Sequence, residues 1–581
     1  MSRFALLLTV LCLPGSAFPQ SPAATPPTNM RVASRLVYLD VVVRNSAGQP
    51  VRGLTKEDFK VQEDGHPQQV DFFAAHFGQP GAEKASAQPV PHGDGRTFTN
   101  IPNHTTDSGA INILLFDLLN TPELDQLYAR RQMLKFLQTL PPGQQLALFV
   151  LSGRLHMIQN FTGSSDQLAA AAKLIDAKDL RLIRSSSEQT QDSDYFADFA
   201  AAVGRSPADA SGGGVSRLAA ALNDEDNINL ETRSIATISA FAEIARFTSG
   251  YPGRKNLLWV SEDFPLSVTA QLQYNDVSRV DQFELGDLPG SLEAANAIAN
   301  AQIAVYPIDV AGLETDSVGA SSSGSAEVSG GGGKMNTTLS QSFANRRQKF
   351  DLMNELARQT GGKAFMNTND LAGAMQRSVE DGSNYYTLAY RPTNANWDGK
   401  FRKIKVDLDK SGNNLTYRRG YFAIADQTPA QAPADELNAA LQPDVLESTM
   451  LRLTSDLVPP VPGRAALQVD TTLDIGNVAF SADQNGNRHA QVLVMLVAFN
   501  EVGKPEPVRQ TSSALHLDFT ADQYKAYLQS GVKFRQQLPL PPGKYRLRLG
   551  VSDLTNHRLG TLIVPVEIAQ SANVASPGAG K

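Results

Sequence analysis

Eight histidines stand at positions 66, 76, 92, 104, 156, 489, 516 and 557, and the one cysteine is Cys12. Zinc catalysis needs imidazoles or thiolates grouped at short spacings such as HxxxH or HExxH, and no such spacing occurs. A serine nucleophile on an α/β scaffold wants a Gly-x-Ser-x-Gly elbow, which is absent. The SGGGGK run at 329–334 lacks the spacing of a phosphate-cradling loop. Glu57-Asp58 and Glu63-Asp64 are neighbouring carboxylates of the kind that share a proton in acid–base work. Both fall at turns of a β-rich stretch, so solvated turn acids are expected. Lys400, Arg402, Lys403, Lys405, Arg418 and Arg419 form a basic β patch, read as a solvated strand face with an unspecific contact to an acidic partner or envelope polymer as the alternative. Trp259 and Trp397 read as packing anchors. No nucleophile–base pair emerges, and the expectation is a protein that is not an enzyme.

The elements that carry these residues change character along the chain. Leu36–Val43, Phe59–Gln62 and Gln69–Phe73 are β-rich, with turns at Asn45–Gly48 and Glu63–Gly65, and predict a small β module over 31–78. Residues 79–108 are rich in Gly, Pro, Ala and Ser and read as a linker. Continuous apolar runs follow: INILLFD (111–117), LALFVLS (146–152), NLLWVSED (256–263) and IAVYPIDV (303–310). Such runs belong to strands buried on both faces. Helical patterns alternate with them at 122–140, 166–175, 228–248, 292–301, 350–360 and 371–380. Shorter strands are expected at 155–161, 363–366, 385–390, 400–408 and 415–422. This order predicts a central α/β unit, a doubly wound, mostly parallel, Rossmann-like sheet over 109–425. Polar or Gly/Ser-rich insertions interrupt it at 176–227 and 314–345. A linker at 426–445 leads to alternating strands over 446–570, expected as a C-terminal all-β sandwich, with a tail at 571–581.

In that order, several stretches resemble the von Willebrand factor type A (VWFA) domain, and more narrowly the secreted VWFA-related proteins of acidobacteria. They are VRGLTKEDFKVQEDG (51–65), NILLFDLLNT (112–121), PGRKNLLWVSEDFP (252–265), AVYPIDVAGL (304–313), TGGKAF (360–365) and YYTLAYRP, DGKFRKIKV and YRRGYFA between 385 and 423. The resemblance implies a divalent-metal site at the carboxyl ends of the strands, taking Mg²⁺ or Mn²⁺ through hard oxygen ligands. The family's first motif is Asp-x-Ser-x-Ser. Asp117 matches its Asp and Thr121 its second hydroxyl, while Leu119 replaces the first Ser and cannot ligate. Thr237 matches the Thr of a second loop. Glu262, with Asp263 beside it, stands where the family has an Asp. The site so implied is degenerate, with one ligand lost.

The address and the charge bound the partners. Arg3, the apolar run Phe4–Leu13 and the small residues Gly15-Ser16-Ala17 form a signal peptide over 1–17, followed by a tether at 18–30. That run is shorter than the ~18 apolar residues of a membrane span, and no later stretch reaches that length. With 52 Lys+Arg against 59 Asp+Glu, the net charge of −7 argues against nucleic acid. The expectation is an exported, periplasmic or extracellular protein that binds a protein partner through the type A strand ends. The alternative is a metal-independent envelope scaffold whose β modules do the binding.

Overall fold

The computed structural model describes residues 36–77, 96–102, 110–141, 144–175, 232–264, 291–313, 332–410, 412–424, 433–458, 466–501 and 507–568. The expected signal peptide, tether, insertion 176–227 and tail lie outside the described residues, as do most of the linker 79–108 and the first part of the insertion 314–345.

The chain opens with β1 (Val37–Arg44), β2 (Phe59–Glu63), β3 (His66–Gln68), β4 (Val70–Phe77) and β5 (Thr97–Thr99). Asp64 and Gly65 join β2 to β3 at φ 48° and 82°. Two positive φ angles in a tight hairpin are what an Asp-Gly pair supports.

The centre is a mixed five-stranded sheet. Its strands are β6 (Ile111–Asp117), β7 (Leu146–Leu151), β8 (Leu155–Thr162), β9 (Lys255–Ser261) and β10 (Ile303–Asp309), in the order β10-β9-β6-β7-β8. The first four in that order are parallel; β8 runs antiparallel to β7. Every residue of β6, β7, β9 and β10 is buried, because helices cover both faces. Leu114 and Phe116 face α1 (Glu123–Gln138) and α2 (Ser165–Leu174); Ile113 and Leu115 face α3 (232–248), α4 (Ser291–Asn300) and α5 (Gly332–Thr360). A sixth helix, α6 (Leu371–Gly382), packs with α1. The strand expected at 363–366 is a single parallel bridge between Phe365 and Ile308. Among the described residues no helix is long and apolar enough to cross a membrane; even α5, at 29 residues, is too polar.

After α6 come β11 (Asn384–Tyr390), β12 (Phe401–Leu408), β13 (Asn414–Thr416) and β14 (Gly420–Phe422). They pair with the first strands of the chain, in sheets ordered β13-β1-β11-β4 and β14-β12-β2-β3. Leu39, Val41, Val61, Tyr386, Leu388 and Val406 meet in the core these sheets share. Helix α7 (Pro433–Ala440) then leads to β15 (Leu453–Val458), β16 (Leu467–Leu473), β17 (Ser481–Ala482), β18 (Arg488–Asn500), β19 (Pro507–Phe519), α8 (Ala521–Ser530), β20 (Val532–Leu538), β21 (Gly543–Asp553) and β22 (Leu559–Ile568). These strands form one sheet ordered β20-β16-β15-β5 and another ordered β17-β18-β21-β22, with β19 on β18. Side chains from both sheets share one hydrophobic cluster. The molecule is therefore mixed α/β with several sheets, and strands dominate.

Candidate functional site at the strand ends

Parallel register places Asp117, Ser261 and Asp309 level with one another at the carboxyl ends of β6, β9 and β10. Asp117 shares the parity of Ile113 and Leu115, so it points to the face covered by α3 and α5. There it is fully buried.

Its carboxylate is surrounded by donors of the protein itself. Asn120 N–H donates to Oδ1 at 3.0 Å, and the Asn120 side-chain amide donates to Oδ2 at 2.8 Å. Trp259 Nε1–H donates to Oδ2 at 2.9 Å. The Ser261 hydroxyl lies 3.2 Å from Oδ2 and 2.7 Å from Asp263 O. Burial pushes the Asp117 carboxyl up to about 6, against the pull of these donors.

The other expected ligands gather at the same strand ends. Thr237, on α3, is fully buried; it donates to Arg233 O at 2.8 Å and accepts from the Asn120 amide at 3.1 Å. Thus one Asn120 NH₂ group sits between Asp117 and Thr237. The Thr121 hydroxyl accepts from Glu262 N–H at 3.2 Å. The half-buried Glu262 carboxyl is pushed up to about 7 by desolvation and then by the Asp125 carboxyl within hydrogen-bonding reach. Asp263 turns away to an ion pair with Arg233 at 2.7 Å. Leu119 packs into the apolar cluster of the α3–α5 face.

Asp309, not among the expected ligands, is almost wholly buried. Lys349 of α5 grips both its oxygens, at 3.1 and 3.0 Å. Its sequence signal is the one that marks Asp117: an acid closing a continuous apolar run. Trp259 and Lys349 carry no such signal, because their partners Asp117 and Asp309 lie far along the chain, and Asn120, though only three residues from Asp117, sits in the motif at a position where no ligand is expected.

These residues do not fit an Mg²⁺ or Mn²⁺ ion. Such an ion needs several free oxygens in near-octahedral array. Here Asp117 is held by amide, indole and hydroxyl donors, an amide stands between it and Thr237, and Lys349 occupies Asp309. Among the described residues at these strand ends, Asn120 Oδ1 and Glu262 Oε2 are enclosed without a hydrogen-bond partner. Among the described residues no three His, Cys, Asp or Glu side chains are grouped to hold a metal.

The carboxylate pairs in the β-rich segment divide. Asp58 caps a turn and pairs with Lys410 at 3.2 Å. Glu63 is not a solvated turn acid. It is buried, accepts from Tyr390 Oη at 2.7 Å and Tyr421 Oη at 3.0 Å, and pairs with buried Arg402 at 3.4 Å. Phe59, Val61 and Glu63 share one face of β2, so period 2 turns Glu63 inward.

No protein-family profile matches the chain, and no curated protein matches it. Among solved structures it is similar to an aerotolerance-related membrane protein from Bacteroides fragilis carrying multiple mutations to serine. The identity is 10% and the TM-score 0.21, over 47% of this chain and 99% of that one. A likeness this weak assigns neither family nor function.

Proposed function

We propose that this chain is an exported, non-enzymatic binding or scaffolding protein of the bacterial envelope, and that it works without a divalent ion. Its centre is read as a VWFA-related, doubly wound domain, and its last strands as a sandwich. Four parallel strands covered by helices on both faces, and two antiparallel sheets over one core, support that reading. The observation that carries the metal-independent assignment is the Asn120 amide bridging Asp117 and Thr237. In the resembled site those oxygens face a cation; here a neutral donor satisfies them. Partner binding then falls to the flanking β sheets.

Thermal melts of the full chain in millimolar Mg²⁺, in Mn²⁺ and in chelator test this. The melting temperature is expected to be the same in all three. Asp117→Ala is expected to lower it equally in each, corresponding to a stability loss of about 2–3 kcal/mol, since it strands buried donors. A metal-dependent rise that Asp117→Ala abolishes would restore the adhesion-type reading.

A further inference from the structure

A cavity of about 420 Å³ opens where the turn after β1, the end of α5 and the β13–β14 segment meet. It shares no residue with the strand-end site. Its size falls within the usual range for small-molecule sites, and its lining mixes apolar surface with several charged groups. Four cations line it: Arg44, Arg358, Lys363 and Arg419. Asp381 is the one acid among the lining residues.

Two of the cations are already matched. Arg44 pairs with Asp381, and Arg358 with Glu355 at 2.9 Å. Neither Lys363 nor Arg419 has a carboxylate within ion-pair distance among the described residues, although the Lys363 charge also acts on Asp381, and both are exposed. Both are nonetheless oriented. The Arg419 guanidinium lies 4.6 Å over the Tyr417 ring and donates to Tyr417 Oη at 2.8 Å. Lys363 Nζ lies 5.5 Å from the Phe365 ring. Cations held over rings lose less freedom when they engage an anion. The rest of the wall carries neutral hydrogen-bonding groups from Asn45, Ser46, Asn414 and Thr416. Such groups suit the hydroxyls of a polar ligand.

We infer that this cavity binds a small polyhydroxylated anion, a sugar acid or sugar phosphate, with its charge on Lys363 and Arg419. The inference does not rest on the metal-independent reading of the strand ends.

Calorimetric titration of the full chain with glucuronate, glucose 6-phosphate, inorganic phosphate and glucose tests it. Saturable binding of one or both sugar anions is expected, weakened by added salt, with no binding of glucose. Preference for glucuronate assigns the site to sugar acids; preference for glucose 6-phosphate assigns it to sugar phosphates. The double variant Lys363→Glu/Arg419→Glu changes two exposed side chains. It is expected to keep its circular dichroism and to bind at least about tenfold more weakly. The inference is overturned if neither sugar anion binds at millimolar concentration. It is equally overturned if the folded double variant binds as well as wild type, or if phosphate alone binds as tightly as the sugar anions.

Discussion

At the strand ends Asn120 and Lys349 each supply positive hydrogen-bonding character to a carboxylate that burial would otherwise destabilise. The two solutions differ in cost. Asp117 meets neutral dipoles and its pKa stays high; Asp309 meets a full charge across 3.0 Å. Breaking a buried pair on one side leaves an uncompensated charge, typically costing about 3–5 kcal/mol. Lys349→Met is therefore expected to lower unfolding free energy by ~3 kcal/mol in urea denaturation at neutral pH. A change within ~0.5 kcal/mol, the size of an ordinary surface substitution, would show that the pair holds nothing.

At the scale of elements, the junction between α3 and the last sheets is closed by Thr449. Its hydroxyl donates to Phe247 O at 2.7 Å and accepts from Gly250 N–H at 2.8 Å. Thr449 N–H also reaches Arg246 O at 3.3 Å, so a residue two hundred positions away caps this helix. Gly250 is what lets the chains approach. A Cβ there would lie 2.2 Å from Thr449 O, a backbone atom that cannot swing aside. Gly250→Ala is expected to cost about 1–3 kcal/mol, read as a lower melting temperature; an unchanged value would mean the two parts are not docked this way.

Two residues earlier in the same segment, Glu447 accepts from Ile563 N–H at 2.6 Å. Desolvation pushes its carboxyl up to about 7, above its ordinary 4.5, against that N–H and the Arg548 guanidinium. A raised folded pKa gives stability that is full below the unfolded pKa and is lost as pH rises through the folded one. Glu447→Gln keeps the acceptor and removes the titration. Between about pH 5 and about pH 8, wild type is expected to lose on the order of 2–3 kcal/mol relative to that variant. Parallel melting curves across that range would sink the assignment.

At the scale of the whole molecule, the first strands are bound to the chain more than three hundred residues later. β11 lies between β1 and β4, and β12 pairs with β2. A fragment spanning 109–425 would strip β11 of both neighbours and expose Tyr386, Leu388, Ile404 and Val406. It is expected to be poorly soluble and rapidly proteolysed, whereas 36–425 keeps those pairings. Equal protease resistance of the two fragments would show that the first strands are dispensable.

The central strands were legible in the sequence because an unbroken apolar run closed by an acid suits a strand buried on both faces and little else. INILLFD and IAVYPID became β6 and β10 at those residues. Helices α1, α2 and α6 began and ended within a few residues of the periodic pattern, since caps such as Asp370 and Ser164 are local. Even the burial of Glu63 was encoded in the period of β2, though its turn-like neighbours concealed it. Tertiary structure alone decided who stands next to whom. Nothing near Asp117 in sequence announces Trp259, and nothing near Asp309 announces Lys349. Hydrogen bonds and ion pairs act over about 3 Å in space, whereas a sequence pattern records only spacing along the chain. The composition of the strand ends was therefore readable, but that Thr237 of α3 meets the Asn120 amide and Lys349 of α5 meets Asp309 was decided by the packing of those helices.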